Sequence, residues 1–508
     1  MINNSLSYFY EPKLTFGHKQ KIEDPRDGLV LFGPNESFLK HSVQAGVIGT
    51  PVGIKYYQNF VEKIKLPIYS TSIMRPTFPG FETTFGVKWE SEPVISRTLD
   101  PEIIRIKLKS KSAKQRTVDA VNLYIEKVKD IILNDEARPN IFFIVVPLSI
   151  YNACRPGKLG DRLNKSLEDF AFHKKAGQIR LAYEDDEEYE QSMMDYINAT
   201  SNFHHLIKAR LINEGVDTPV QIVVEPTLNF RDKRNFQYPE NMQAFLAWSI
   251  STTVYYKLGK IPWKLGEIRP KVCYLGLVFK KMDTIEESGQ VCSAAQMFLD
   301  SGDGSVFKGT VGNFRSENNE YHLTKSAAFS LLNLALEYYE KDYGGFPQEL
   351  FIHGKAKFTN EEWNGFQEAI AFRKQKIKLI GIVIKDKTEK LKIYRDVMGE
   401  RCNYGNLRGL GIKISDREGY LWTRGFVPRL NTSLSKEIPN PLRIIIDRGE
   451  VELEQAMKDI LALTKLNYNA CIYGDGLPVT LRFSENIGKI LTAIPNFQTK
   501  VRKFQYYI

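Results

Sequence analysis

KVCYLGLVFK (271–280), GQVCSAAQMFL (289–299), a third strand-like run from Val306 to Val311, a helical stretch from Ser326 to Glu340, ELFIHG (349–354), a helical stretch from Asn360 to Phe372 and KLIGIVIK (378–385) are the segments that decide the fold. The first three runs read as an antiparallel meander. The later ones alternate helices with short buried strands, the pattern of crossovers between buried strands.

Three consecutive strands followed by alternating helix and strand is the element order of the ribonuclease H fold. Upstream, a different pattern holds. An amphipathic segment, Thr117 to Leu133, precedes the buried strand IFFIVVPL (141–148). A helix from Phe203 to Glu214 is closed by Gly215 and followed by PVQIVV (219–224), and a third helix runs from Met242 to Leu258, stopping at Gly259 and Pro262. Buried strands alternating with long helices predict a doubly wound α/β unit. The first hundred residues are rich in Pro, Gly and aromatics, as in DPRDGLVLFGP (24–34) and MRPTFPGFETTF (74–85), and read as strands and extended loops packed on something larger. The expected organisation is an N-terminal extended segment (1–110), a Rossmann-like unit (111–265) and a ribonuclease H-like unit (266–508).

The 508 residues are 43% hydrophobic with 26% charged, which excludes wholesale disorder. Five dispersed cysteines form no CxxC pair and read as reduced, mostly buried thiols rather than a disulfide framework or a zinc site. MINNSLSYFYEPK lacks the order of a signal peptide, and the longest apolar run, Ile141 to Leu148, is too short to span a bilayer. The expectation is a cytoplasmic protein with no membrane partner. The net charge of +10 is uneven. Residues 251–281 carry seven Lys or Arg against one acid, and residues 401–508 carry sixteen against ten, while the rest of the chain sums to −2. Two separated basic regions suggest a groove that follows a phosphate backbone.

One set of residues is sharper than the others. His204 and Lys208 are four apart on one helix face, Gln221 opens the next strand, and Lys257 ends the third helix in YYKLGKIPW (255–263). In a doubly wound unit these can converge on an anion, with Lys supplying charge, Gln an amide donor and the imidazole a donor or stacking face. Taken together, the set resembles the MID-domain pattern of Argonaute proteins: an aromatic or His, then Lys, then Gln after a turn, then Lys in a KLG-x-PW context. DPRDGLVLFGP, FIHGKAKFTNEEW (351–363), REGYLWTRGF (417–426) and LNYNACIYGDGLPVTLRFSENIGKIL (466–491) look like landmarks of the PIWI half. Too little sequence precedes residue 111 for the N and PAZ domains of long Argonautes, so the resemblance is to the short prokaryotic kind.

That resemblance implies a Rossmann-like MID domain followed by a ribonuclease H-like PIWI domain. It also implies a small guide, RNA in this reading, whose 5′-phosphate is held by His204, Lys208, Gln221 and Lys257. His204 stands where many members carry a stacking Tyr. In many members the C-terminal carboxylate, here that of Ile508, helps to hold a Mg²⁺ ion on the phosphate. An active PIWI domain needs a carboxylate cluster for two metal ions. Here Val278 stands at the first position, Lys355 or Gly354 at the second and Glu485 at the last. An alternative alignment uses Asp283 as the first carboxylate. The expectation is an inactive PIWI domain and hence no enzyme. Output would come from an APAZ-containing partner, a TIR-type NAD⁺ hydrolase by preference and a sirtuin-like or nuclease effector otherwise. Single-stranded DNA pairing with the guide would switch that heterodimer on, with oligomerisation on target binding, in antiviral or anti-plasmid defence. Two alternatives stand beside this one: an autonomous guide-directed nuclease, and a general single-strand binding protein.

Overall fold

The computed structural model describes residues 6–37, 42–110, 113–154, 202–281, 291–299, 304–308, 320–386, 391–393, 405–434, 438–494 and 502–508. Asp283 and the acidic run 184–190 lie outside these residues. Among the described residues, no helix is long and apolar enough to cross a membrane.

The expected meander and alternation are present as one ten-stranded sheet. Its centre is Leu442–Arg448, Lys378–Lys385, Glu349–Gly354, Val272–Lys281, Val291–Leu299 and Gly304–Lys308, in that spatial order. Leu6–Tyr8, Leu410–Ser415 and Glu418–Leu421 extend one side, and Arg502–Lys503 closes the other. Val272–Lys281 pairs antiparallel with Val291–Leu299 and parallel with Glu349–Gly354, with Gly276 opposite His353. The helices Lys325–Tyr343 and Asn360–Phe372 cross over and bury Ala328, Leu331, Leu332, Phe366 and Ala369 on one face. The motif FTNEEW is structural there. Thr359 and Glu362 form a capping box, and Glu362 also accepts from the Leu323 amide at 2.7 Å, while Trp363 joins the core.

The second sheet has four parallel strands, ordered Val220–Val224, Ile141–Val146, Ala45–Gly49, Ile95–Thr98. Two of these come from before residue 111, a stretch whose sequence reads as extended chain packed on the larger units. AGVIG (45–49) is buried at every position, so it shows no alternation, and its glycines hide it further. Glycine is required there: a Cβ on Gly46 would come within 2.8 Å of the Phe142 ring. The same stretch also holds helices where loops are expected. Pro25–Phe32, Pro51–Lys65 and Pro101–Lys107 each begin with Pro at the first position. Asp24, Thr50 and Asp100 cap them, accepting from the amides of Arg26, Gly53 and Glu102 at 2.9, 3.0 and 2.8 Å. A proline inside a helix breaks it, but a proline directly after a capping residue starts one.

The helix Glu240–Lys257 is buried along most of its length and shares one apolar core with strands of both sheets. Trp263 donates from Nε1 to the Lys465 carbonyl at 3.0 Å, and Tyr468 donates to the Trp263 carbonyl at 2.8 Å. The KIPW segment is thereby locked to the PIWI-like half.

Candidate nucleic-acid interface

All four residues of the expected anion pocket line one cavity of about 680 Å³. His204 and Lys208 sit on the helix Asn202–Asn213, Gln221 on the strand Val220–Val224, and Lys257 at the end of Glu240–Lys257. Lys257 Nζ donates to Gln221 Oε1 at 2.8 Å and to the Val220 carbonyl at 2.9 Å. Lys208 Nζ donates to the main-chain oxygens of Ile508 and Tyr507 at 2.6 and 3.1 Å. Ile508 is buried, and it and Tyr507 line the cavity.

The electrostatics are unusual for lysines. Both side chains are nearly inaccessible, at 3% for Lys208 and 2% for Lys257. Burial pushes Lys208 down to about 7. Burial and the Lys208 charge hold Lys257 well below the ordinary lysine range. Burial, then Lys208, His205 and Lys257, holds the His204 imidazole well below its usual value, favouring the neutral ring. A desolvated cation is stabilised most by an anion in the same enclosure. The arrangement therefore favours a small dianion that meets both ammonium groups and the Gln221 amide.

Sequence reading missed much of the wall. Arg75, Arg424, Asn467, Asn469 and Asp475 line the same cavity, as does the loop Arg231–Gln237 with Lys233, Arg234 and the 65%-exposed Phe236. Asp232 Oδ1 accepts from the Arg234 and Phe236 amides at 2.8 and 2.9 Å and fixes that loop. Basic residues interleaved with aromatics in NFRDKRNFQ (229–237) were a usable signal for it. Glycine placement also shapes the wall. A Cβ on Gly476 would collide with the Arg424 guanidinium, and one on Gly474 would come within 2.8 Å of Arg408 Nη2.

The expected nuclease positions fall at one end of the large sheet. Val278 is two residues past Gly276 on its strand, and Lys355 two past His353 and exposed. Glu485 is on the helix Ser484–Leu491, which packs on that strand. His353 is buried, shares a hydrogen bond with Thr480 Oγ1 at 2.9 Å and is pushed down to about 3 by burial, so its ring is neutral. A Cβ on Gly276 would collide with the Thr480 carbonyl oxygen, so helix Val479–Arg482 rests directly on the strand.

No protein-family model matches the chain, and no curated protein matches it. Solved structures do. Clostridium butyricum Argonaute bound to a guide DNA and a 19-mer target DNA aligns with a TM-score of 0.63 at 16% identity, over 100% of this chain and 55% of that one. Aa-Ago with externally bound siRNA aligns at 0.54 and 15% identity, over 99% and 56%. Aquifex aeolicus Argonaute aligns at 0.53 and 15% identity, over 97% and 54%. The chain spans about half the length of these structures and has the MID–PIWI architecture expected of it.

Proposed function

We propose that this chain is a guide-loaded nucleic-acid sensor: it holds the 5′-phosphate of a small guide RNA in the His204–Lys208–Gln221–Lys257 pocket, pairs the guide with single-stranded DNA, and signals through a partner. The observation that carries this reading is the pair of buried lysines that, among the described residues, meet no side-chain carboxylate and converge with Gln221 and Ile508 in one cavity. The fold shared with proteins solved with guide, target or siRNA supports it. Guide pairing would read sequence while the basic channel reads backbone.

Magnesium on the phosphate fits the oxygens available. Mg²⁺ prefers hard oxygen donors, commonly one or two from protein with the rest from phosphate and water. The Ile508 oxygen in the pocket would be the protein ligand, and the ion would supply charge neutralisation. With Val278 and Lys355 at the carboxylate positions, the PIWI half would not cut its target. Output then falls to an APAZ-containing partner, a TIR-type NAD⁺ hydrolase in this proposal.

The test compares 5′-phosphorylated with 5′-hydroxyl guides, RNA with DNA, by fluorescence anisotropy with and without EDTA. A phosphate preference lost in Lys208→Met is expected, and equal affinity for both guide ends would sink the pocket. Target cleavage in Mg²⁺ or Mn²⁺ would overturn the non-cutting assignment. Co-expression with the adjacent open reading frame, followed by NAD⁺ measurement with guide and target, checks the output.

A further inference from the structure

We infer that the basic turn at Gly17–Lys19 and the end of the helix Pro25–Phe32 form a docking surface for an acidic, amphipathic segment of a partner protein. The inference rests on the reading that output passes through a partner. KLTFGHKQK (13–21) carries three lysines and His18, with no acid among its nine residues. Leu14–Thr15 and Lys21–Ile22 pair antiparallel as a hairpin, and Lys264–Leu265 adds a third strand beside Leu14–Thr15. Leu14 and Phe16 are buried, at 0% and 1% exposure, whereas Lys13, His18, Lys19 and Lys21 are exposed. Alternation along the strand thus buries the apolar side chains and sends the charges outward.

The platform beneath them is fixed. The Phe16 amide donates to the Gln20 carbonyl at 2.8 Å, and the Gly17 amide to the Gly33 carbonyl at 3.1 Å. A Cβ on Gly28 would run into the Phe16 ring, and one on Gly17 into the Phe32 carbonyl oxygen, so hairpin and helix are in direct contact. That contact sets the basic turn against the last helical turn, which bares Val30 and Leu31 at 51% and 63% exposure. The charge there is uncompensated. Among the described residues, Lys13, His18, Lys19 and Lys21 make no ion pair. The neighbouring acids are already engaged: Glu11 with Arg408 and Lys465, Asp24 with Arg26, Asp27 with Arg429, Glu36 with Lys264. The turn is also strained. His18 and Lys19 both take left-handed backbone, with φ of 53° and 59°, a conformation that suits glycine or asparagine. Two basic side chains are held where backbone energy favours neither, which points to a use for them.

The same surface selects its occupant. Ammonium groups attract carboxylates and phosphates alike, but Val30 and Leu31 gain only from aliphatic or aromatic side chains. No aromatic ring of the turn or helix is exposed for base stacking, and none of these residues lines the guide cavity. A protein segment with carboxylates on one face and aliphatic side chains on the other satisfies both halves.

The experiment measures anisotropy of a fluorescein-labelled peptide of repeated Glu-Leu-Leu-Glu units on the full chain, against a version with Ser for Leu. The first peptide should bind about tenfold more tightly than the second. Lys19→Glu with Lys21→Glu should weaken it about tenfold and flatten its salt dependence, whereas Leu31→Ser should weaken it with the salt dependence kept. Lys19→Asn removes a charge but suits the left-handed turn, so binding should weaken without a lower melting temperature. A lower melting temperature would make the turn structural and overturn the inference. Equal binding of the two peptides would reduce the surface to bare charge and overturn it as well. So would a preference for 5′-hydroxyl duplex DNA or phosphatidylserine vesicles that the double charge reversal abolishes. The adjacent-frame product should be captured by the wild type and lost by the double charge reversal; equal capture overturns the docking surface and leaves the partner reading standing. Guide 5′-phosphate affinity should be the same in every variant, so failure of the pocket and failure of this surface give separate results.

Discussion

Among the described residues, buried basic side chains gather around Glu11 and in the pocket, and the two groups are built differently. Around Glu11 two cations share one carboxylate supplied from within. Arg408 and Lys465, 1% and 0% exposed at their side chains, both pair with the Glu11 carboxylate at 2.8 Å. Arg408 also donates to Thr464 Oγ1 at 2.7 Å, and the Lys465 ammonium sits 3.7 Å from the Tyr473 ring centre. Burial alone would raise the Glu11 carboxyl, yet Arg408 and Lys465 hold it below the usual carboxylate range. In the pocket, Lys208 donates to the Tyr507 carbonyl and to the Ile508 oxygen, Lys257 donates to the Val220 carbonyl and the Gln221 amide, and burial depresses both. The first group resembles a rivet between the N-terminal segment, at Glu11, and the C-terminal half, at Arg408 and Lys465. The second has no side-chain carboxylate against either lysine among the described residues. Burial of a lysine therefore says nothing about function until its counter-charge is identified.

The sharpest break of this comparison is on the Glu11 side. Glu11→Ala leaves two cations buried without their carboxylate and should cost about 3–5 kcal/mol, measured by urea unfolding. A cost below about 1 kcal/mol would mean the two groups do not differ. Lys208→Met should leave stability unchanged or raised, because it removes a desolvated ammonium, while guide 5′-phosphate affinity drops by about 1.5–3 kcal/mol. A lysine whose loss unfolds the chain would belong with the rivet instead.

Acidity sharpens the comparison less, since burial pushes Lys465 down to about 8 even beside Glu11. Lys208 holds its extra proton only below about 7 in the free protein, against an ordinary 10.5. Between those values the unfolded chain binds more protons, so this group makes stability rise with pH across that window. Binding runs the other way. Phosphate becomes a dianion above roughly pH 6. Affinity should therefore peak near pH 6–7 and then fall by up to about 1.4 kcal/mol per pH unit, and titration of guide binding against pH checks this. An affinity flat from about pH 6 to 9 would show that Lys208 is not the proton-linked group. The smallest effect is a control remote from both groups. Thr359→Ala removes the capping box and should cost about 1 kcal/mol by thermal melting, with guide affinity unchanged.

The large sheet was legible because its helices carry a 3.6-residue period and its central strands are apolar runs edged by single polar residues. Helix Asn360–Phe372 matches its sequence reading at both ends. His204, Lys208, Gln221 and Lys257 were legible as a set because three consecutive elements of a doubly wound unit bring them together. Arg75 was not. It belongs to a two-strand hairpin 182 positions before Lys257, and only the tertiary bonds of Trp248 and Arg26 reveal where it stands. AGVIG was invisible for a related reason, since a strand covered on both faces has no period to read. The helices opening at Pro25, Pro51 and Pro101 show only when each proline is read together with the capping residue before it.

Ala45–Gly49 is an inner strand, with Ile141–Val146 on one side and Ile95–Thr98 on the other. The four-stranded unit therefore cannot be lifted out of the chain as one contiguous stretch starting near residue 111. A fragment begun there would bare the whole edge of Ile141–Val146, an open and apolar template for pairing with other copies. Segmental labelling, split reporters and domain exchange should place their junctions after Leu265 and keep everything from before Ala45 on the same piece. In this protein the early residues are the keystone of an arch whose other stones come a hundred positions later.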